Sequence, residues 1–464
     1  MTRTVAELPG PPRLPLLGNA PALAGPDAHL KIEQWCDRYG PVFRFHIGPR
    51  PVLALADLEH INSVLRDRPD GFARWREIQT VFDEMGTSGV FSEEGATWRA
   101  QRRLAVTALN SNHLQRYFHV VGDATERLHR RLARAAAEGR SLDIAEELAR
   151  LTVDVTSALA FGHDLNTLER GEVELQRHIQ RIFEMIARRV LAPVPYWRYV
   201  RLPADRALDR SLAELNTAIT GFIEQARARM RERPELHQEP ENFLEAMLAA
   251  QVAEGAFTDK EIAGNVFTML LAGEDTTAHT IAWALWLLAS HPEAQGRWAQ
   301  ESQQTLGAER CPSAYEMIER LQYGEAVLRE SMRLKPVAVF IPVESLADTV
   351  IADTRVPAKT KLWLLTRHAG LHATPDGHRF HPDRWCEEDA APDQKTFLAF
   401  GAGPRFCPGR NLAFLESKTV MAMIARNFEI ELDESAGAVS EQLAFTMIPR
   451  GLRVRLRERA QVAV

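Results

Sequence analysis

Cysteine is scarce in this chain, with only four among 464 residues. Cys36, Cys311, Cys386 and Cys407 lie far apart, and none has the C-x-x-C spacing typical of zinc fingers or iron–sulfur proteins. A few scattered cysteines in a long chain also provide no disulfide framework. The pattern therefore argues against these scaffolds and favours a reducing compartment, so we expect a cytoplasmic protein.

Long uninterrupted hydrophobic runs are missing as well. The first residues, MTRTVAELPGPPRLPLLGNAPAL, lack the apolar segment of a signal peptide, and their prolines would break a membrane helix. The most apolar stretch, residues 262–290, carries Glu274 and Asp275 near its middle. Because two carboxylates there would be costly in lipid, we expect a long buried helix and no transmembrane anchor.

The chain also lacks a strong excess of either charge. It has 56 Lys and Arg against 62 Asp and Glu, a net charge of −6 with mixed signs. This balance argues against nucleic acid as the main partner. No repeat, low-complexity linker or charge block marks a boundary. We predict a single domain over residues 1–464, with a proline-rich lead over 1–20.

Hydrophobic periodicity predicts a mainly α fold with small β elements. The segment YGPVFRFHIGPRPVLALAD, residues 39–57, alternates about a Gly-Pro turn and indicates a hairpin. Residues 96–333 have an almost wholly helical pattern, interrupted by a loop over 191–206. Short strands and turns are predicted over 336–382, followed by a helix after Cys407 and a hairpin around FTMIPRGLRVRL.

The chain does contain one cysteine with glycine, proline and arginine on both sides of it, in TFLAFGAGPRFCPGRNLAF. The glycines of this segment and Pro404 predict a tight loop that permits close approach to a flat ligand. Pro408 suits the first position of a helix, so Cys407 is predicted at a helix N-terminus, where backbone donors favour a thiolate. Such a thiolate is either a metal ligand or a nucleophile, and a buried free cysteine is the alternative.

Five positions of this segment match the haem-binding signature of the cytochrome P450 family, namely Phe400, Gly403, Arg405, Cys407 and Gly409. The chain therefore resembles that family. The resemblance implies haem b (iron protoporphyrin IX) with Cys407 as the axial iron ligand, whose electron donation favours O–O cleavage. It further implies that Arg405 pairs with a haem propionate, that Phe400 packs beside the ligand and shields it, and that Gly409 borders the cofactor.

The motif AGEDTT lies in the middle of the long apolar helix. A carboxylate and a hydroxyl there are costly unless they are satisfied or functional, and a kink in a core helix is the alternative. Gly273 weakens the helix but would leave room over a ligand, and Thr276 can bond back to the carbonyl four residues earlier. By the resemblance, Ala272 and Gly273 border the haem. Asp275 and Thr276 would form the acid–alcohol pair that supplies protons for oxygen activation, and Glu274 has no assigned role.

Two motifs further along resemble a structural network of the same family. ESMR contains Glu330 and Arg333, and FHPDRW contains Arg384 after an Asp383 that replaces the family's usual Glu. A solvated surface pair is the ordinary explanation of such an E-x-x-R spacing. The resemblance instead implies that Glu330, Arg333 and Arg384 form a buried charge network beneath the haem.

The motif WRAQRR places Trp98 and Arg102 one helical turn apart. An amphipathic helix with a basic face would explain it, whereas the resemblance makes both residues partners of the haem propionates. Arg99 and Arg103 would then help to dock an acidic electron carrier. One departure is that the segment after Arg333 has Glu344 where many family members have a His or Arg directed at a propionate.

By analogy with the family, a substrate pocket lies above the haem. Its predicted lining residues, each of which is equally an ordinary core residue, are Ile78, Val81, Phe82, Met85, Phe183, Phe267, Leu271, Val337, Val339, Phe340 and Met447. Arg74 and Arg76 could bind a substrate carboxylate, although solvated loop charges are the better interpretation.

The resemblance implies a haem-thiolate monooxygenase that hydroxylates or epoxidises an apolar small molecule with O₂. Because the haem domain takes up the whole chain, we expect electrons from a separate ferredoxin or flavodoxin with its reductase, and a monomeric protein. One alternative is a peroxygenase or isomerase, which often lacks the acid–alcohol pair. Two others are a haem-based sensor, which needs no proton relay, and a silent helical scaffold in which Cys407 is merely buried.

Overall fold

The computed structural model describes residues 2–170, 174–192, 194–386 and 396–460, and most of them are helical. The helices are α1 (Ala28–Tyr39), α2 (Leu58–Arg66), α3 (Arg76–Glu84), α4 (Gly95–Ala108), α5 (Ser111–Arg116), α6 (Phe118–Ala137), α7 (Ile144–Phe161), α8 (Thr167–Arg170), α9 (Glu174–Val190), α10 (Pro203–Glu232), α11 (Phe243–Glu254), α12 (Asp259–Ala289), α13 (Pro292–Leu306), α14 (Tyr315–Glu319), α15 (Gln322–Leu334), α16 (Thr366–Leu371) and α17 (Arg410–Asn427). The strands are β1 (Arg3–Thr4), β2 (Val42–Ile47), β3 (Arg50–Leu55), β4 (Phe72–Arg74), β5 (Leu142–Asp143), β6 (Ile341–Ser345), β7 (Thr349–Ile351), β8 (Thr354–Val356), β9 (Lys361–Leu364), β10 (Phe428–Leu432), β11 (Ser440–Leu443), β12 (Met447–Arg450) and β13 (Arg453–Glu458).

The largest sheet has the strand order β2-β3-β9-β6-β4. Strands β2 and β3 form the predicted antiparallel hairpin, which is confirmed, while β9 runs parallel to β3. Phe43 and Phe45 on β2 are fully buried, as the alternation of the sequence predicts for a sheet with one face on the core. This sheet joins the start of the chain to the segment that follows α15.

Helix α12 is the long buried helix predicted from the sequence, and it packs against α7, α10, α15 and α17. Its N-terminus has a capping box, in which the Thr258 hydroxyl accepts from Glu261 N and the Glu261 carboxylate accepts from Thr258 N. Residues 264–271 of this helix are all buried, whereas Ala272, Gly273, Asp275 and Thr276 at its centre are exposed or half-buried. Within the described ranges, no helix combines the length and the apolar character needed to cross a membrane.

The prediction of a C-terminal hairpin around FTMIPRGLRVRL is wrong. Both strands exist, but β12 pairs with β11, whereas β13 pairs with β10 and β5 in a different sheet. Gly451 between them has a left-handed φ of +80°, which turns the chain from one sheet to the next. Alternation in the sequence identified the strands but not their partners, because pairing depends on what lies opposite in space. Helix α16 was likewise missed inside a segment predicted as strands and turns.

Candidate active site

The loop before Cys407 is shaped by backbone contacts. Gly403 has a left-handed φ of +67°, and a Cβ there would overlap Leu65 O and lie 2.8 Å from Arg66 Cα. The close approach predicted for this glycine is therefore to the end of α2 and not to a flat ligand. Cys407 N donates to Phe400 O at 2.9 Å, which closes the loop beneath the thiol.

The Cys407 thiol lies just before α17, as predicted, although the helix begins at Arg410 and not at Pro408. The backbone N–H groups of Gly409 and Arg410 lie near its sulfur and favour its ionised form. Burial raises the pKa of Cys407, and these two donors, together with the nearby Arg102, only partly oppose that effect. The thiol therefore does not become a thiolate unaided, whereas direct ligation to a metal ion would deprotonate it. This favours the metal ligand over the nucleophile.

The centre of α12 borders open space. Ala272 is exposed although the residues around it on this helix are mostly buried. Gly273, in contrast, points elsewhere: a Cβ on it would overlap Thr156 Oγ1 and lie 2.7 Å from Thr156 Cγ2 on α7. The expectation that Gly273 leaves room over a ligand is therefore wrong, since the glycine is required where two helices cross closely. Ala272 is the residue that borders the open space.

The acid–alcohol pair has well-defined partners. Thr276 Oγ1 donates to Ala272 O at 2.7 Å, the back-bond predicted from the sequence. The Asp275 carboxylate accepts from the Thr446 hydroxyl and lies 3.0 Å from His279 Nδ1. Burial raises the pKa of Asp275, but His279 and Thr446 outweigh it and hold that pKa below its ordinary value. Asp275 is therefore ionised, and neither Thr446 nor His279 was identified from the sequence.

A group of arginines lies beside α4. The Arg405 side chain is only 3% exposed; its Nη2 donates to Glu93 O at 2.7 Å and pairs with the Glu94 carboxylate. Its guanidinium lies 4.0 Å from the ring centroid of the buried Trp98. The guanidinium of Arg74 lies 3.8 Å from a phenylalanine ring centroid. These aromatic contacts leave the donor edges of both arginines available for a ligand.

Several side-chain N–H donors of Arg405, Arg74 and Arg68 have no partner among the residues that the structure describes. They are Nε and Nη1 of Arg405, Nε of Arg74, and Nε and Nη2 of Arg68. Burial lowers the pKa of Arg405 to about 10, with Arg68 and Arg102 adding repulsion and Glu94 opposing it. Burial also lowers the pKa of Arg74, which Arg68 and Arg405 depress further. Buried cations that repel one another and lack acceptors indicate a site for an anionic ligand.

One sequence expectation changes here. Arg74 is not a solvated loop charge, since it belongs to this cluster, whereas Arg76 is exposed as expected. Arg74 pairs across the sheet with Val343, next to Glu344. Strand β4 therefore places a cation beside the segment after Arg333, which no local motif could reveal.

Arg102 braces the loop before Cys407. Its Nη2 donates to Phe406 O at 2.6 Å, and its guanidinium lies 4.7 Å from the Phe406 ring centroid. Its role as a propionate partner stays a prediction. The Phe400 ring packs against Phe414, with centroids 5.6 Å apart.

The predicted structural network comes together around one buried carboxylate. Glu330 accepts from Arg333 Nε at 2.9 Å and Nη2 at 2.7 Å, and from Arg384 Nε at 3.0 Å. Trp385 Nε1 also donates to it at 2.9 Å, a partner not identified from the sequence. Asp383, the residue that departs from the family pattern, forms two 2.7 Å bonds with Arg297 outside this network.

Most of the predicted pocket residues lie on or beside elements that a series of aromatic contacts connects. Aromatic contacts link Phe82 to Phe91, Phe91 to Phe445, and Phe445 to Phe183, at centroid distances of 5.5, 5.9 and 5.3 Å. Phe91 and Phe445 were missed because nothing local distinguishes them from core phenylalanines. The other members near these elements are the buried Ile78, Val81, Met85, Phe267 and Leu271, and the half-buried Val337.

Three of the predicted pocket residues have other packing partners. Val339 and Met447 pack with Trp283 in a separate apolar cluster, and Met447 is fully buried. Phe340 stacks on Trp363, with centroids 4.3 Å apart. Val339 and Phe340 lie in the irregular segment before β6, so closeness in sequence does not direct their side chains to one side.

Comparison with known proteins decides the family. A family model for cytochrome P450 matches residues 8–456. This chain belongs to the cytochrome P450 family. P450 relatives are distant but span most of both chains. Cytochrome P450 4c21 of Blattella germanica is 25% identical over 92% of this chain and 88% of its own length. Thromboxane-A synthase of Rattus norvegicus is 26% identical over 87% and 82%, and the protein LUTEIN DEFICIENT 5, chloroplastic, of Arabidopsis thaliana is 26% identical over 91% and 73%.

The residues of this P450 fit the haem that its family uses. Haem is a flat apolar macrocycle with two carboxylates and an iron that accepts an axial thiolate. Cys407 supplies the thiolate, and the unpartnered donors of Arg68, Arg74 and Arg405 suit the carboxylates. The exposed Ala272 marks open space beside α12 for the macrocycle. The protein is therefore a haem-thiolate oxidoreductase of the P450 monooxygenase type, with Cys407 as its iron ligand.

Proposed function

We propose that this P450 hydroxylates or epoxidises an apolar small molecule with O₂, using electrons from a separate redox partner. The observation that carries the proposal is the Asp275–Thr276 pair on α12, in which Asp275 is kept ionised at the edge of the open space. A peroxygenase, an isomerase or a haem-based sensor has no need of such a pair. Burying the carboxylate and hydroxyl of this pair inside a helix costs free energy, which is consistent with a role in proton transfer.

Thiolate-ligated haem supplies the oxygen chemistry when it is bound. The protein's own contribution begins with retention of that group. We assign Arg405, Arg74 and Arg68 to the two propionates, since their free donors converge on one buried region. Trp98 supports Arg405 through the cation–π contact at 4.0 Å. Arg102 keeps the Cys407 loop in place through Phe406 O.

Proton supply is the second contribution. The Asp275 and His279 side chains are 19% and 14% exposed, so both are within reach of solvent protons. Asp275 would accept a proton at its carboxylate and pass it to Thr276 Oγ1, whose own proton moves toward the reacting oxygen. The Thr446 and His279 contacts hold the carboxylate in its resting position, from which it must turn to reach Thr276 Oγ1. Thr276 must release Ala272 O to do so, at the cost of one weak back-bond.

The substrate we propose is apolar and accommodates aromatic contacts. Phe82, Phe91, Phe183 and Phe445 form a continuous chain of ring contacts between α3, α9 and the C-terminal sheet. Aromatic surfaces of this kind contribute large apolar area with little conformational entropy cost. Binding of such a molecule would exclude water from the region beside α12, which favours productive proton transfer over release of reduced oxygen.

We propose that the electron donor is a ferredoxin or flavodoxin that docks on the Cys407 side. Arg99 and Arg103 on α4 are exposed, although Arg99 pairs with Asp70 at 2.8 Å, and Phe406, which Arg102 of the same helix contacts, is 41% exposed. A basic surface with an apolar centre suits an acidic carrier. We further propose that the protein is monomeric, cytoplasmic and a single domain.

The test begins with the reduced, carbon monoxide-bound difference spectrum of the full haem-loaded chain. A thiolate-ligated haem gives a red-shifted Soret band, and its absence would contradict the assignment of Cys407. Compounds that shift the resting spectrum then identify a substrate. With that substrate and a surrogate redox system, Thr276→Ala and Asp275→Asn should each consume reductant mainly without forming product.

Thr280→Ala is the matched control, since Thr280 Oγ1 makes the same kind of back-bond, to Thr276 O at 2.8 Å, one turn further along α12. This variant should keep the coupling of the parent protein. Unchanged coupling in Thr276→Ala would exclude the proposed relay. Efficient product formation from peroxide alone, unaffected by Asp275→Asn, would favour a peroxygenase instead.

A further inference from the structure

A cluster of metal-ligating side chains lies between α1 and α16, outside the haem site. Asp37 is near the end of α1, and His368 and His372 are four residues apart at α16 and its C-cap. His368 Nε2 lies 2.9 Å and His372 Nε2 3.9 Å from the same oxygen, Asp37 Oδ1. The three ligand atoms all lie within 4.8 Å of one another.

We propose that Asp37, His368 and His372 form a zinc site, with water in the fourth position. Two imidazoles and one carboxylate are a ligand set that zinc prefers, and four-residue spacing at a helix places both imidazoles on one face. Hard cations such as Mg²⁺ and Ca²⁺ prefer oxygen ligands throughout and would bind here poorly.

The distances match the requirement of the metal. Ligand atoms at 2.0–2.1 Å from a tetrahedral zinc ion lie about 3.3 Å from one another. The two distances to Asp37 Oδ1, 2.9 and 3.9 Å, lie on either side of that value. The Asp37 and His372 side chains are 61% and 47% exposed, so small rotations complete the geometry without disturbing the core.

The histidine tautomers also suit a metal. His372 Nδ1 lies 2.9 Å from His368 O, and because a carbonyl oxygen only accepts, Nδ1 carries the proton and Nε2 presents its lone pair toward Asp37. Metal-bound histidines commonly make this kind of second bond.

An ordinary ion pair between Asp37 and His368 would not explain the position of His372. The bond between Asp37 and His368 needs no second imidazole on the same oxygen, yet His372 stacks on His368 with centroids 4.0 Å apart and directs Nε2 there. The interface itself is already held by other contacts, because Arg367 of α16 approaches Glu33 of α1 at 3.5 Å. The cluster is thus pre-organised, and zinc would clamp α1 to α16.

The experiment uses the full haem-loaded chain, stripped of loosely bound metals with a chelator and titrated with Zn²⁺ against a chromophoric competitor. The parent protein should bind one equivalent with an affinity that His372→Ala weakens by at least about tenfold. His372 is exposed, so this variant should retain the parent's haem content and carbon monoxide spectrum. His237→Ala removes an exposed histidine elsewhere and should leave zinc binding unchanged.

A second variant and a second measurement make the result decisive. Asp37→Asn keeps every histidine and should still weaken zinc binding. Zinc should also raise the melting temperature of the parent but not that of His372→Ala, because a ligand that binds only the folded state stabilises it. The proposal is overturned if the parent binds no stoichiometric zinc, or if either variant binds zinc as tightly as the parent.

Discussion

Replacing Glu330 by Gln is a direct test of how the buried network of Glu330, Arg333 and Arg384 stabilises the protein. The Glu330 side chain is fully buried, and Arg333 and Arg384 beside it are 5% and 9% exposed. Gln keeps the shape of the residue but removes the charge and turns an NH₂ group toward donors. Arg384 retains a carboxylate partner in Asp376, at 3.0 Å, whereas the further acceptors of Arg333 are the neutral backbone carbonyls of Gly377 and Arg379.

The size of the effect follows from these contacts. Glu330 accepts three bonds from guanidinium groups at 2.7–3.0 Å, and a hydrogen bond to a charged group contributes about 1.5–3 kcal/mol. Breaking a buried ion pair by removing one partner costs about 3–5 kcal/mol, since an uncompensated charge remains. We therefore expect Glu330→Gln to lower the free energy of unfolding by about 3–5 kcal/mol.

Asp383→Asn provides the matched control, because it makes the same chemical change in a pair that water reaches. Arg297 and Asp383 are 48% and 30% exposed, and such pairs contribute about 0–1 kcal/mol. Urea unfolding of the haem-loaded protein, followed by circular dichroism with refolding checked, measures both variants. With a slope of about 3 kcal/mol per molar urea, Glu330→Gln should shift the midpoint by about 1–1.7 M. A shift no larger than that of Asp383→Asn would refute the reasoning.

Three further predictions concern buried groups of the helical core. Burial raises the pKa of Glu416 to about 8 from an ordinary 4.5. Between these two pH values the folded state holds a proton that the unfolded state has lost, so the stability of the protein falls as the pH rises from about 4.5 to 8. Glu416→Gln should therefore raise the melting temperature at pH 9 but not at pH 4. Gly273→Ala should destabilise the protein because the new Cβ would clash with Thr156, whereas Gly296→Ala, where a Cβ meets open space, should stabilise it by about 0.5–1 kcal/mol. The midpoints of denaturant unfolding measure both effects, and equal gains in stability for the two variants would contradict the close helix crossing at Gly273. His279→Gln removes the cation that keeps the pKa of Asp275 low, so the acidic limb of the coupling–pH profile should move to higher pH, and an unmoved limb would remove His279 from the relay.

Many elements of this protein can be predicted from its amino-acid sequence, because the strongest signals are local. The capped helix α12, the hairpin of β2 and β3, and the helix after Cys407 each follow from residues close together in the chain. The haem signature around Cys407 is also continuous in sequence, and the family match over residues 8–456 agrees with it.

What the sequence determined by itself is the set of elements and the residue that binds iron, since helix periodicity, capping and a ten-residue motif are properties of short segments. The tertiary structure alone decided which elements meet. It brought Arg74 on β4 beside Arg405, Thr446 to Asp275, and His368 and His372 to Asp37. These pairs are separated by many residues, and their contact depends on sheet order and helix crossing, which are set by the packing of the whole core and by no single segment.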